Sequence, residues 1–421
     1  MSLVWFRRLK ENLSYFRGNL LVLTLSWVFW TPAMVMVYTY EPTYILALGA
    51  DTFIMGAIYG ISIAVLCVTR IPGGFIADRF GRKWVIAIMS FGAALAYLPY
   101  AFAQSWQWIL VAAILSSLTL IYQPALMAAF ADSIPPEKRG KGYALSNFLP
   151  TIVAVFSPII AGYFVLTRGL VDGMRLVYLL AAGSGLIAAF LRLFFLKETL
   201  PKREANPKEK DSPEHWRGFK TEYLGALKFI FKSAPLLLVL RVVFEFASYG
   251  SWPFFIVFAM EFLGVSEEGW WIIFMVSQAA YLVGAMPMGI LTDRIGRRKV
   301  LILSTGIFIL STLFWVMTPP HAGLTMFSAT TSFALIQLAA AASGSALPAF
   351  EADLIPRLKR GNAIATLMLV YGITTAVITT IGGFMYEEVA PQFPFLISIV
   401  LLSIVFPIIL FRMKEPSKRE V

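Results

Sequence analysis

The chain has 421 residues, of which 58% are apolar and only 14% charged, and it carries a net charge of +11. Soluble domains carry about 25% charged residues, so at a mean hydropathy of +0.75 the apolar surplus cannot hide in a globular core and lipid must be the solvent. One cysteine, Cys67, and two scattered histidines, His215 and His321, argue against a disulfide framework, a metal centre or a catalytic base, so no metal or cofactor is expected.

In chain order, Met1 to Arg17 carries Arg7, Arg8, Lys10 and Arg17 ahead of the first long apolar run. No small-residue cleavage site follows, so the first helix is expected to be retained. Runs of about 20 apolar residues can cross the hydrocarbon as helices whose backbone groups are satisfied internally. Twelve are expected, over 18–40, 52–76, 83–103, 107–131, 141–166, 175–196, 234–262, 269–291, 299–318, 324–351, 361–385 and 393–412. This is an all-α membrane protein in two six-helix halves, 1–196 and 234–421. The stretch 197–233 between them is a linker rich in charge and proline. Within it Trp216, Phe219, Tyr223, Leu227 and Ile230 recur at helical spacing with lysines opposite, which reads as a helix lying on the membrane surface.

Lysines and arginines alternate between the loops almost perfectly. One side collects the N-terminal cluster, Lys138, Arg139, Lys141, the linker, Arg357, Lys359, Arg360 and the tail; the other collects only Arg168 and Arg175. Both termini are therefore expected in the cytoplasm of a protein in the cell membrane. The positive charge is topology and headgroup attraction, and no nucleic-acid partner is expected.

The stretch Gly74-Phe75-Ile76-Ala77-Asp78-Arg79-Phe80-Gly81-Arg82-Lys83 returns as Gly289-Ile290-Leu291-Thr292-Asp293-Arg294-Ile295-Gly296-Arg297-Arg298-Lys299. Three further matches follow the same order: Ala131-Asp132-Ser133-Ile134-Pro135 with Ala352-Asp353-Leu354-Ile355-Pro356, Ala161-Gly162-Tyr163-Phe164 with Gly382-Gly383-Phe384-Met385, and Lys197-Glu198 with Lys414-Glu415. The offsets are 215, 221, 221 and 217 residues, the small drift that loop insertions produce. Two parallel repeats place a solute site near the midplane between the halves, exposed to each side in turn by rocking.

Over essentially its whole length the sequence resembles a major facilitator superfamily transporter. The glycine, aspartate and basic cluster between spans two and three resembles that superfamily's signature loop, and it recurs between spans eight and nine. The resemblance implies a twelve-helix fold and secondary active transport of a small molecule by a monomer, with spans one, four, seven and ten lining the cavity. It does not name the cargo.

Asp78 stands at the C-terminal end of its helix, where the dipole disfavours a carboxylate, so it needs a partner. Arg82 lies four residues on, and Asp132 can complete a carboxylate–arginine–carboxylate cluster. The resemblance adds the N-terminus of span eleven, near Gly361. By repeat, Asp293, Arg297 and Asp353 form the second cluster, against span five near Gly140. Gly74 and Gly289 would let helices cross closely. Both clusters are read as cytoplasmic gates, and Glu351 as a further member of the second.

Charges at membrane depth mark functional sites by default. Arg241 and Glu245, four residues apart on span seven, share a helix face, and Glu245 lies roughly 15 Å in at 1.5 Å per residue. Glu245 is the expected proton-coupling site, with Arg241 as its partner or as a binder of substrate carboxylate. Arg70 and Arg192, near the inner ends of spans two and six, are expected to snorkel to the surface. Glu41 and Glu261 are expected in water at the outer ends. Expected cavity lining is Trp27, Trp30, Tyr122, Gln123, Asn147, Tyr249, Trp252, Gln278, Gln337 and Tyr371, a mostly apolar set with a few polar groups.

Span four reads Leu115-Ser116-Ser117-Leu118-Thr119-Leu120-Ile121-Tyr122-Gln123 and lacks the arginine common in the superfamily's drug–proton antiporters. Sugar-porter and peptide-porter signatures are absent as well. The aromatic, charge-poor cavity favours an amphiphilic or lipophilic solute over phosphate esters, and proton-coupled export of such a compound is expected, with uptake of an organic acid or sugar held by Arg241 as the alternative. Both gate motifs are retained, which favours transport over a non-transporting receptor on the same fold. No nucleophile–base constellation suggests an enzyme.

Overall fold

A computed structural model describes residues 16–135, 138–200, 235–354, 360–413 and 415, and every regular element among them is helical. Eleven helices among the described residues are long and apolar enough to cross a membrane, from Asn19–Tyr38 to Phe393–Phe411. The remaining expected crossing, span seven, is interrupted. Pro235–Glu245 is α-helical, Phe246–Gly250 is a π-helical turn, and Phe254–Val257 leads into a second π-helical turn, Phe258–Phe262. Span four is interrupted too: Trp106–Thr119 passes through a 3-10 turn at Leu120–Tyr122 into Gln123–Asp132. Pro124 explains the break, since it offers no N–H and suits the first turn of a new helix. The expected surface helix between residues 216 and 230 lies outside the described residues.

The repeat is visible in how helices end. Gly81 and Gly296 sit at φ 88° and 99° between spans two and three and between spans eight and nine; that region suits glycine because it lacks Cβ. The helices that follow, Arg82–Leu95 and Arg297–Val316, have no capping side chain of their own. Glu198 accepts from the backbone N–H groups of Arg82 (3.3 Å) and Lys83 (3.1 Å), and Glu415 from those of Arg297 (2.8 Å) and Arg298 (3.0 Å). A carboxylate there satisfies orphan donors and meets the positive end of the helix dipole. The glutamate of the repeated Lys-Glu dipeptide thus closes, in each half, the helix that the repeated glycine opens.

At the far end, opposite those glycines, the halves are tied together. Tyr40 Oη donates to the Glu267 carbonyl at 2.6 Å and Trp270 Nε1 to that of Thr39 at 2.7 Å. Thr52 donates its backbone N–H and its hydroxyl to Glu387, at 3.2 and 2.5 Å. Span two runs against span eleven closely enough that a side chain at Gly56 or Gly383 would meet the other helix's backbone. Gly74 and Gly289, expected to serve such crossings, have nothing within 4 Å of a Cβ position among the described residues. Close approach between the halves occurs at the far end, where they bond; beside the first motif it is Gly73 and not Gly74 that meets a neighbouring backbone, at Ile121 of span four.

Candidate functional site

Two polar sites lie inside the protein, one in each half. The first is a cavity of about 460 Å³ between spans one, two, three, four and six. Its wall includes Trp27, Trp30, Tyr97, Tyr122 and Gln123, with Glu41 and Arg192 as its charged members. Trp27 stacks on Phe130 at 5.6 Å and 13°. Tyr122 and Gln123 enter the wall at the break in span four, where the proline releases the helix from its regular path.

Both charges depart from expectation. Arg192 is 1% exposed and does not snorkel. Its Nε donates to Ser26 Oγ at 3.0 Å, and one terminal nitrogen donates to Ser90 Oγ at 2.7 Å and to Tyr122 Oη at 3.3 Å. The guanidinium also lies 5.6 Å from the Tyr122 ring centroid. The reason is directional. Helical side chains tilt back toward the N-terminus of their helix, so an arginine near the C-terminal end of span six points into the bundle. Arg70 does the same on span two, donating to Gln123 Oε1 from Nε at 2.9 Å and from Nη2 at 2.5 Å. Glu41 is buried rather than wet: it accepts from Tyr178 Oη at 3.0 Å and Tyr59 Oη at 3.1 Å. Glu261 is exposed at the outer end of span seven, as expected.

The second site is an ion cluster. Arg241 pairs with Glu245 at 2.9 Å and stands 3.7 Å from Glu351, with its guanidinium 4.3 Å from the Tyr371 ring centroid. Glu245 and Glu351 are 8% and 7% exposed, and Oε1 of Glu351 has no hydrogen-bond partner. Glu351 therefore belongs with span seven and not with the second gate cluster. Arg241 lies early in its helix and tilts toward that helix's start; Glu351 lies late in span ten and tilts back to meet it. One positive charge faces two carboxylates, so the cluster is neutral with one proton aboard. Glu245 immediately precedes the π-helical turn, an irregularity often found at functional positions.

Of the other expected lining residues, Gln337 donates to Gln278 at 3.0 Å. Trp252 packs on Phe333 and Phe274 in an aromatic core, while Tyr249 and Asn147 are exposed. Near the repeated motif, Arg82 is paired with Asp132. Arg297 bonds Asp353 at 3.0 Å and approaches Asp293 to 3.9 Å. The side chains of Asp78, Gly140 and Gly361 lie outside the described residues. Outside the spans, partial burial pushes the Glu198 carboxyl up, but the N–H donors of Leu200, Lys83, Thr199 and Arg82 outweigh it and hold its pKa below the usual carboxylate range.

The Major Facilitator Superfamily sequence profile matches residues 18–278 and 238–421. An uncharacterized transporter of this type from Methanocaldococcus jannaschii is 23% identical over 385 residues, covering 89% of this chain and 90% of that one. Multidrug resistance protein MdtG from Citrobacter koseri is 28% identical over 349 residues, with 79% of each chain covered. Among solved structures, a POT family transporter in complex with 5-aminolevulinic acid superposes with a TM-score of 0.75 over 94% of this chain and 96% of its own, at 13% identity; that likeness concerns the fold alone.

Proposed function

The chain belongs to the Major Facilitator Superfamily, a family of membrane transporters of small molecules, and within it we propose that this protein exports amphiphilic or lipophilic organic compounds in exchange for protons. The observation that carries the reading is the cluster of Arg241, Glu245 and Glu351. Two buried carboxylates share one arginine, which is the charge balance a proton carrier needs: one proton is held when the cluster is closed to water, and it leaves when the site is hydrated. Arg241, held by both carboxylates, has little left for a substrate carboxylate, which disfavours the uptake reading. The aromatic wall of the cavity suits an apolar solute, and the relatives named multidrug resistance proteins support export as the direction.

The working cycle is alternating access, with the far-end bonds broken and remade as the halves rock. The Arg82–Asp132 and Arg297–Asp353 pairs brace the gate on the side of the repeated motif. The density of lysine and arginine on that side supports a cytoplasmic location for it and for both termini, with the protein acting as a monomer in the cell membrane. The test is pH-gradient-driven export of a fluorescent amphiphile from proteoliposomes. Glu245→Gln and Glu351→Gln are each expected to reduce gradient-driven export at least tenfold while gradient-independent exchange persists. Unchanged gradient-driven export in both variants removes the cluster from the coupling mechanism.

A further inference from the structure

We propose that the guanidinium of Arg192 is a binding subsite for the anionic head, a carboxylate or phosphonate, of an amphiphile lying in the first-half cavity. The inference rests on the reading of that cavity as the place of an amphiphilic substrate, and it assigns the head group.

Arg192 is a cation at membrane depth, 1% exposed, and among the described residues no carboxylate pairs with it. Every partner it has is neutral: Ser26, Ser90 and the hydroxyl and ring of Tyr122. A buried charge is stable when an opposite charge and full hydrogen bonding accompany it, and here the opposite charge is missing. Nor does the guanidinium complete its bonding. Its Nη2 donates to no described residue, and Arg192 lines the cavity. A planar fork with free N–H groups at a cavity wall fits an oxyanion.

The fold does not require an arginine there. The 217-residue offset that relates Lys197-Glu198 to Lys414-Glu415 carries Arg192 to Ile409, which is fully buried at 0% exposure. The two serines do not need it either, since Ser26 Oγ donates to the Leu23 carbonyl and Ser90 Oγ to that of Ile86. They are oriented by their own helices and present lone pairs to Nε and one terminal nitrogen of the guanidinium, which fixes its plane and leaves Nη2 without a described partner. The same cavity is lined by Trp27, Trp30, Tyr97 and Glu41. Ser26, beside Arg192, and Glu41 are fifteen residues apart on the first span and its short continuation, roughly 20 Å at helical rise. The two charges of the cavity therefore stand at opposite ends of an aromatic channel. An anion bound at Arg192 is remote from Glu41, and its apolar body lies on the indole rings.

The test uses the full-length protein in phosphatidylcholine nanodiscs and three probes sharing one ring system: 1-naphthylacetate, 1-naphthylacetamide and 1-naphthylmethyl-trimethylammonium. Binding is read by tryptophan quenching and by calorimetry. The carboxylate is expected to bind at least tenfold more tightly than the amide. Arg192→Gln is expected to abolish that preference. In the wild-type protein, equal binding of acid and amide, or a preference for the cation, overturns the assignment without need of any variant. Acetate and inorganic phosphate alone are expected not to compete at millimolar concentration; competition by them makes the site one for small anions and overturns the amphiphile. Exchange into nanodiscs containing phosphatidylglycerol is expected to leave the acid's affinity unchanged, and a tenfold loss assigns the subsite to a lipid headgroup instead. Binding of all three probes with no selectivity sinks this inference alone, whereas failure of all three to bind also sinks the reading of the cavity as a substrate site.

Discussion

Glu198 and Glu415 perform one task twice, whereas Arg192 and Arg241 perform two different ones. Each glutamate closes the N-terminus of the helix that follows a repeated glycine, with a pair of backbone bonds in the same arrangement. Inside the halves the likeness stops. The first half holds a guanidinium among hydroxyls and a carboxylate among tyrosines, each without an opposite charge among the described residues. The second half places one arginine between two carboxylates and over an aromatic ring. The repeat keeps the groups that helix geometry demands in both copies and frees the interior to specialise. A half that neutralises its own charges is suited to carry a proton; a half that leaves charge bare is suited to receive it from a ligand.

The sharpest way to break that contrast is to remove each arginine in turn. Arg241→Met leaves two buried carboxylates with no cation, and losing one partner of a buried pair costs about 3–5 kcal/mol. Arg192→Met leaves no buried anion behind, and both serines keep their backbone acceptors, so a loss within about 1 kcal/mol is expected. Unfolding by SDS titration in mixed micelles measures both. Equal losses would mean that Arg192 is as structurally committed as Arg241, and the contrast between the halves fails.

The interiors were the less legible part of the sequence, for a physical reason. Hydropathy, charge alternation and the repeated motif carry the span number and the repeat, because each is written along the chain. Depth along one helix says nothing about direction around it or about which way a long side chain leans. Arg192 lies close to a helix end, which suggested the surface, but the tilt of helical side chains toward the N-terminus sends it inward. The same tilt brings Glu351 to Arg241 across two helices that the sequence does not juxtapose. Tyr122 and Gln123 were expected as cavity wall because they are uncharged polar groups on span four, and both line the cavity at the break before Pro124. The aromatic lining expected at Trp252 is a packed core instead, since neighbouring spans supply the rings that cover it.

The contact between the halves gives an effect of intermediate size. At Gly383 a β-carbon would press on the backbone of Thr52 and Phe53, and overpacking of this kind costs about 1–3 kcal/mol. Gly383→Val should therefore raise the far-end-open fraction about tenfold, as each 1.4 kcal/mol is tenfold in an equilibrium constant. Spin labels at the exposed Ala47 and Val389, which sit at this end of opposite halves, report the distance. An unchanged distance distribution in a folded variant means that the far end is not held by close approach of spans two and eleven.

The smallest effect tests whether the two shared caps are equivalent. A carboxylate at a helix N-terminus contributes about 0.3–1 kcal/mol through the dipole, so Glu198→Gln and Glu415→Gln should each lose about that much at neutral pH. The pH dependence separates charge from packing at Glu198. Its folded pKa lies below the usual carboxylate range, while the unfolded carboxyl titrates near about 4.3. The unfolded state therefore takes up its proton first. The contribution is fully present above that pH, declines as the pH falls through the lowered folded value, and is gone once both states are protonated. The stability difference between wild type and Glu198→Gln should accordingly be constant from pH 7 to about pH 5 and shrink below it. A difference that stays constant down to pH 3 would show that Glu198 acts through its shape and its neutral hydrogen bonds, and that the repeat preserves a fitted side chain rather than a charge.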